Sequence, residues 1–434
     1  MLFWRFTKVI EIHNLNMRIY RAPYKSFTPR PSNHLPDLGL QKQAPVKNPF
    51  RGMNRFMVFI ISMAIIPWFF GAYQVFGFNV TGWTWVIPLV LSTLICLGNI
   101  GRITFPFLVW IPWVGLLSFY WLLGRYNPDA TQSLFQTLSP IVVGCAASVF
   151  RPDQAQLDAV ISWITRLGLI VWIVLIIRIP VILTGALPEH GFMTAEMIGV
   201  LLLGACYSAF YACGSLRHIY YYLAMLAMLL ISLTRGPIVA MLSCLPLTPA
   251  PLKIQKRAVL CLCLAACAIV VFNTDRVQQT MFFSGHGEVS DLYWGNPDLA
   301  TSGRSFMWNI LWEGIRQAPF LGNGWNSHRV TLILAGSRLY LPHNDWLKLT
   351  YDMGFVGSGL YLFIMLLQIV ALVKIARCAD GSIRLLAYGA ATAFVPYMLI
   401  MLTDNVVLYV QFFGNLHFAL IGIVYSAMKH GRNG

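Results

Sequence analysis

The sequence predicts an all-α, polytopic membrane protein with about twelve transmembrane helices. Of its 434 residues, 57% are hydrophobic and 11% are charged, and the mean hydropathy is +0.65. A soluble domain carries roughly 25% charged residues. Many of its apolar runs have about the 20 residues that a helix needs to cross the hydrocarbon core. We therefore expect one helical membrane domain.

The predicted spans follow a polar, Pro-rich and basic tail at residues 1–55. Their predicted positions are 56–73, 83–98, 105–123, 132–150, 158–178, 193–213, 218–233, 236–249, 258–273, 355–374, 385–403 and 406–427. Nine spans thus occupy residues 56–272, and three spans with a short C-terminal tail occupy residues 355–434. Between them lies a long polar loop at residues 273–354, which we call the platform.

The net charge of +15 needs an explanation, because a basic chain can bind nucleic acid or membrane lipids. No nucleic-acid-binding motif accompanies the charge, so we expect no nucleic-acid partner. With twelve spans and a cytoplasmic N-terminus, the basic loops alternate with less basic ones, as expected for cytoplasmic loops near anionic lipids. The same parity predicts that the platform faces outward. Basic residues of the predicted cytoplasmic loops are Arg102, Arg151, Arg217, Lys253, Lys256, Arg257, Lys374, Arg377 and Arg384.

The platform is predicted to contain two amphipathic helices. The first covers residues 302–317, where Phe306, Ile310 and Ile315 recur near helical spacing, with apolar neighbours beside them. Ser302 is the predicted N-cap. The second helix begins near His343. We expect both helices to lie on the membrane, with tryptophans at the level of the lipid headgroups.

Two arginines are candidate ligands of a phosphate group. Arg235 precedes Gly236 at the outer mouth of two spans, where a guanidinium can bind a phosphate through two parallel hydrogen bonds. On its own, Arg235 can equally be an interfacial arginine that extends to the headgroups. Arg304 lies in the first turn of a predicted helix, where a cation opposes the helix dipole unless an anion binds there.

His343 is the candidate general base. It follows Pro342 at a predicted helix start, where the dipole favours a neutral imidazole that can accept a proton. A lone histidine can also be purely structural. Asn344 and Asp345 are predicted to cap the helix or to orient the ring. The competing platform histidines are His286 and His328.

Secondary candidates are Arg125, Arg178 and Asp404, which lie at the outer ends of predicted spans. The nine cysteines lack the paired spacing of a zinc site, and no P-loop, GxSxG, HExxH or paired-aspartate motif occurs. We therefore expect no metal and no cofactor. An outward-facing enzyme also has no access to cytoplasmic nucleotides, so its substrate must be activated and membrane-bound.

Five short motifs follow one another along the chain: Arg235-Gly236, Gly303-Arg304 with Trp308, the Pro319–Gly324 stretch, His343-Asn344 and Gly354-x-x-Gly357. Together with the long outer loop, this ordered set resembles the O-antigen ligase and polymerase superfamily. The resemblance implies a GT-C-like fold and an inverting, metal-independent glycosyltransferase. It implies that Arg235 and Arg304 hold the pyrophosphate and that His343 is the base.

The resemblance also implies the partners and the location. The donor would be a glycan on undecaprenyl pyrophosphate, and the acceptor a hydroxyl group of lipid A-core or a similar lipid or glycan, on the periplasmic face of the inner membrane. A polymerase of the same superfamily is the first alternative, since it shares the arginine and histidine chemistry. A transporter or flippase is the second, but few charges lie inside the spans and no inverted repeat is visible.

Overall fold

The computed structural model describes residues 74–75, 78–79, 83–124, 128–183, 196–232, 235–293, 296–301, 303–337 and 340–431. The predicted basic tail, the first predicted span and Arg125 lie outside these residues. The described α-helices are α1 (Val86–Gly98), α2 (Phe107–Leu123), α3 (Pro128–Ala147), α4 (Gln154–Leu183), α5 (Glu196–Ala212), α6 (Arg217–Ser232), α7 (Arg235–Leu247), α8 (Ile254–Phe272), α9 (Asp275–Met281), α10 (Arg304–Gln317), α11 (Ser327–Leu334), α12 (Asp345–Cys378), α13 (Gly381–Ile400) and α14 (Gly414–Gly431). A two-residue antiparallel pair, β1 (Gln74–Val75) and β2 (Phe78–Asn79), precedes them.

The helices support the predicted class, a mainly helical membrane protein. A helix occurs at each predicted span from the second to the twelfth. Within the described residues, four stretches are long and apolar enough to cross a membrane: Gln154–Val174, Ile254–Phe272, Asp345–Cys378 and Gly381–Ile400. Five further helices among the described residues are apolar but have only 10–17 residues, so the number of about twelve spans stays a prediction.

Helix α13 lies at the centre of the bundle and packs against α4, α5, α7, α12 and α14. Its middle is built from small buried residues, among them Gly389, Ala390 and Ala393. Small residues let neighbouring helix backbones approach closely, which is the main source of contact energy where lipid removes the hydrophobic driving force. A Cβ at Gly389 would already contact Phe210 and Cys206 of α5.

The predicted boundary between the last two spans is wrong. The prediction left two residues between them, whereas α13 ends at Ile400 and α14 begins at Gly414. Residues 401–413, which we call the turn segment, are a series of hydrogen-bonded turns rather than helix. Much of the segment is buried in the protein. Its hydropathy resembles that of a span, because residues buried in protein are as apolar as residues in lipid.

The second predicted platform helix is the first part of α12. Residues 345–353 are helical, Gly354 has non-helical torsion angles (φ 66°, ψ −174°), and the helix then continues as the predicted tenth span. The predicted position of this segment on the membrane surface is wrong, because Leu347, Leu349 and Met353 are buried in the protein.

The break at Gly354 is filled by the loop that follows α10. The amide N–H groups of Phe355 and Val356 donate to the carbonyls of Pro319 and Phe320, at 2.8 and 3.2 Å. In return, Asn323 N–H donates to Tyr351 O at 2.9 Å. The loop thereby replaces hydrogen bonds that the break removes from the helix, since buried backbone groups need partners. We call this contact between the loop and the helix break the crossing. It accounts for the glycines of the Pro319–Gly324 and Gly354-x-x-Gly357 motifs.

Helix α10 buries only part of the predicted apolar set, which comprised Phe306, Ile310 and Ile315 with Met307 and Leu311 beside them. Met307, Leu311 and Ile315 are buried against α11 and α12, whereas Phe306 is 53% exposed. The predicted N-cap, Ser302, lies outside the described residues. Gly303 precedes the helix with φ 80°, and Thr301 Oγ1 accepts the N–H of Ser305 at 3.1 Å.

Candidate active site

The turn segment connects the candidate residues, although they belong to three separate parts of the chain. Arg304 Nη1 donates to Thr403 O at 3.1 Å. His343 Nδ1 lies 3.1 Å from Asp404 Oδ1. The start of α7, which carries Arg235, packs on Thr403, because a Cβ at Gly236 would overlap the Thr403 side chain. Two adjacent residues of one turn therefore contact all three elements.

His343 has the geometry of a histidine oriented by a carboxylate. When its Nδ1–H donates to Asp404, Nε2 is left with the lone pair that a general base needs. Its side chain is 26% exposed and that of Asp404 is 18% exposed, so the pair is reachable but largely surrounded by protein. The backbone of His343 is left-handed, with φ 50°. Such a conformation is uncommon for a residue other than glycine and is concentrated at functional sites.

The amide of Asn405 completes the surroundings of the imidazole. Its Nδ2 is placed 3.2 Å from His343 Nδ1, while its buried Oδ1 has no hydrogen-bond partner among the described residues. The two ends of an amide are assigned from the hydrogen-bond network. Turning the amide by 180° would give Oδ1 a donor and let Nδ1–H be shared between Asp404 and Asn405. Both acceptors favour the same tautomer, with Nε2 unprotonated.

One face of α10 explains the spacing of its arginine and its tryptophan. Arg304 and Trp308 are four residues apart, so they project from the same side of the helix. While Arg304 contacts the turn segment, Trp308 Nε1 donates to Pro342 O at 2.7 Å. Because Pro342 directly precedes His343, α10 holds both the turn segment and the histidine. The guanidinium has five N–H donors, and the Thr403 carbonyl accepts one of them.

Asn344 and Asp345 act on the backbone rather than on the imidazole. Asn344 Oδ1 accepts the N–H of Leu347 at 2.9 Å, which confirms the predicted helix cap. Asp345 is fully buried, and its Oδ2 accepts the N–H of Val407 at 2.8 Å. Its own N–H donates to Met401 O at 2.8 Å. Asp345 therefore fastens both ends of residues 401–407. The carboxylate that contacts the imidazole of His343 is that of Asp404 instead.

Replacing Asp345 with alanine is expected to loosen the turn segment more than replacing it with asparagine. Alanine leaves the buried N–H of Val407 without an acceptor, which costs about 1–3 kcal/mol. Asparagine keeps an oxygen at this position. The measurement is the thermal unfolding midpoint of the detergent-solubilised protein together with its transfer rate. Equal losses in the two variants would show that the charge of Asp345 matters and not its acceptor.

The other predicted candidates are less well placed. His328 is fully buried, and Asp352 Oδ2 lies 2.8 Å from its Nδ1. Burial lowers the pKa of His328, and the neighbouring Asp352 only partly opposes this effect. His286 is exposed in the loop after α9. The backbone of Arg178 lies in α4, but its side chain is outside the described part of the structure, as is all of Arg125.

Among the described residues, no group of three or more His, Cys, Asp or Glu side chains is arranged to hold a metal ion. The side-chain groups that meet at the turn segment are instead the guanidinium of Arg304, the imidazole of His343, the carboxylates of Asp345 and Asp404, and the amide of Asn405. Such a set can bind an anion and move a proton.

The fold and the site together define a multi-pass membrane protein with a polar site at one end of its helices. Residues 220–362, about a third of the chain, match the family described as O-antigen ligase. The match contains all five of the ordered motifs and confirms the predicted resemblance to the O-antigen ligase and polymerase superfamily. No curated protein matches the chain. Asp404 and the rest of the turn segment lie beyond the matched residues.

Proposed function

We propose that this protein is a ligase-like, inverting glycosyltransferase. It moves a glycan from undecaprenyl pyrophosphate to an acceptor hydroxyl, such as one on lipid A-core, on the periplasmic face of the inner membrane. The observation that carries the proposal is the meeting of the Arg304 and His343 contacts on Thr403 and Asp404, with the start of α7 packed on the same turn. The match to the O-antigen ligase family favours an enzyme over a transporter or flippase.

The proposed chemistry uses only side chains of this chain. His343 Nε2 accepts the proton of the acceptor hydroxyl, whose oxygen attacks the anomeric carbon. The bond from that carbon to the pyrophosphate oxygen breaks on the opposite face, so the anomeric configuration inverts. Arg235 and Arg304 offset the charge of the departing undecaprenyl pyrophosphate, as fixed cations do in sites that exclude water. Asp404 keeps the Nδ1–H of His343 in place throughout.

The superfamily polymerase remains the alternative, since it differs only in the acceptor. A polymerase adds the glycan to another lipid-linked repeat, whereas a ligase adds it to a lipid A-core or similar acceptor. The contacts at the turn segment serve both reactions equally. The GT-C-like fold is part of the proposal, because it follows from the resemblance.

Purified protein is expected to transfer the glycan in the presence of excess EDTA, because the arginines take the place of a divalent ion. The assay supplies a lipid-linked glycan with either lipid A-core or a second lipid-linked repeat. Labelled lipid A-core identifies a ligase, and a lengthened lipid-linked glycan identifies a polymerase. Loss of transfer in EDTA with recovery on adding Mg²⁺ would contradict the metal-independent mechanism. No product with either acceptor would contradict the proposed function.

Lysine is expected to replace Arg235 or Arg304 poorly, although it keeps the positive charge. A lysine lacks the planar, two-pronged donor that matches a phosphate, and a hydrogen bond between charged groups contributes about 1.5–3 kcal/mol. We therefore expect kcat/KM for the donor to fall about 10–100-fold. The matched control is Arg316→Lys at the other end of α10, since Arg316 is exposed and pairs with Glu313. Equal rates for all three variants would contradict a phosphate-binding role.

A further inference from the structure

Helix α8 is apolar, yet none of its residues is buried in the protein. It is one of the stretches long enough to cross a membrane, and its main neighbours are α7 and α9. Because none of its residues is buried, much of the side of α8 that faces the bundle is open to lipid when the helix lies in a membrane. The surface between α8 and the bundle is therefore a place where lipid must enter.

A pocket of about 370 Å³ lies at the start of α8. Its volume is within the usual range of sites for small ligands, about 300–1,000 Å³. The pocket lies where α5 and α7 end and where α6 and α8 begin. It is thus at the opposite end of these helices from Arg235, the first residue of α7. The apolar residues that line it are Tyr211, Ile219, Leu245, Leu252, Val259 and Leu260.

Positive charge accompanies this apolar pocket. Lys256 lines it and is exposed, and Lys253 is exposed one turn earlier. The neighbouring connections and helix starts, residues 213–219 and 248–257, contain Arg217, Lys253, Lys256 and Arg257 but no Asp or Glu. The first turn of α8 has no acidic residue and no side-chain cap, so the helix dipole adds to the attraction for an anion.

Arg257 fastens the start of α8 to the connection that precedes it. Its guanidinium donates to the carbonyls of Pro246, Ala250 and Leu252, at 2.8, 2.7 and 3.2 Å. These carbonyls belong to the end of α7 and the connection that follows it. Arg257 therefore fixes the mouth of the pocket, while the exposed Lys253 and Lys256 carry charge that the connection does not use.

We propose that this pocket is a binding site for an anionic phospholipid. One acyl chain fills the space between α8 and the ends of α5 and α7, and the phosphate lies against Lys253 and Lys256. The apolar lining selects a lipid over a soluble anion, and the charge selects an anionic headgroup over a zwitterionic one. With the candidate site on the periplasmic face, the lipid comes from the cytoplasmic leaflet. The inference does not depend on the proposed transferase activity.

The test measures lipid retained by the full-length, detergent-purified protein. The protein is mixed with phosphatidylglycerol or phosphatidylethanolamine, and bound lipid is counted by native mass spectrometry. Wild type is expected to retain phosphatidylglycerol in preference to phosphatidylethanolamine. A basic residue near a membrane surface strengthens the attraction to anionic lipid roughly fivefold. The double variant Lys253→Gln/Lys256→Gln is therefore expected to lose about 25-fold in affinity for phosphatidylglycerol, with the affinity for phosphatidylethanolamine unchanged.

Two further variants make the result specific to the pocket. Val259→Trp places a large ring in the pocket and is expected to reduce retention of both lipids. Lys374→Gln removes an exposed charge near the end of α12 and is expected to leave retention unchanged. Equal retention of the two lipids by wild type would overturn the proposal. So would a loss in Lys374→Gln as large as that in the double variant, since the effect would then reflect overall charge.

Discussion

Replacement of His343 by alanine is expected to lower the rate of glycan transfer by about 10²–10⁴-fold, the usual effect of losing a general base. The loss should appear in kcat, while binding of the lipid-linked donor is largely kept. The reason is geometric: the imidazole interacts with Asp404 through Nδ1, which leaves Nε2 for the acceptor hydroxyl. The contact of Arg304 with the turn segment does not pass through this ring. The measurement is a single-turnover transfer rate together with donor binding, at equal amounts of folded protein.

Two companion variants separate the base from its surroundings. Asp404→Asn removes the carboxylate that orients the ring but keeps a side chain of similar size, so we expect a smaller loss than in His343→Ala. His286→Ala removes an exposed histidine elsewhere in the platform and should transfer normally. Near-normal transfer by His343→Ala would remove it as the base. A joint loss of transfer and donor binding would make it a ligand or a structural residue.

The sequence indicated Arg235, Arg304 and His343 because each carries a local signal. Arg235 precedes a glycine at the outer mouth of two predicted spans, and Arg304 is a cation in the first turn of a predicted helix. His343 follows a proline at a predicted helix start. The sequence did not indicate that Arg304 and His343 contact adjacent residues of one turn, because the contacts to Thr403 and Asp404 join residues 99 and 61 positions apart. No periodicity or motif records such a distance. Their catalytic and binding roles remain predictions.

The sequence contains one sign of the turn segment, but the hydropathy of the surrounding residues outweighed it. The polar residues Thr403, Asp404 and Asn405 interrupt an apolar stretch between two predicted spans. Hydropathy averages over many residues, so it extended both helices towards this triplet. Burial inside a protein and immersion in lipid give similar hydropathy, and only the polar triplet distinguished them. The triplet indicates an irregular polar turn at this position, whereas its contacts with Arg304 and His343 follow only from the fold.

The role of the platform glycines could not be predicted from the sequence either. Their spacing was useful as part of a family pattern, but its physical reason needed two segments that are distant in the chain. Gly322 has φ 71°, and a Cβ there would overlap the backbone of residues 352–354. The crossing sets the direction of α12 before and after its break. It therefore connects the membrane part of that helix with its first residue, Asp345, which fastens the turn segment.

Replacement of Gly354 by alanine is expected to destabilise the fold by more than about 4 kcal/mol, a loss that few single substitutions cause. Two effects combine. The torsion angles φ 66° and ψ −174° belong to a region that essentially only glycine adopts. A Cβ would also collide with the backbone of Phe320 and Leu321, which cannot move without breaking the hydrogen bonds across the crossing.

The matched control is Gly359→Ala, five residues later in the same helix. A Cβ at Gly359 meets nothing within 4 Å, and alanine is the better helix former by about 1 kcal/mol. The control should therefore be as stable as wild type or slightly more stable. The measurement is the fraction of folded protein after heating in detergent, followed by size-exclusion chromatography. If Gly354→Ala survives heating as well as Gly359→Ala, the loop does not replace the helix hydrogen bonds, and the crossing cannot be what positions Asp345 and the turn segment.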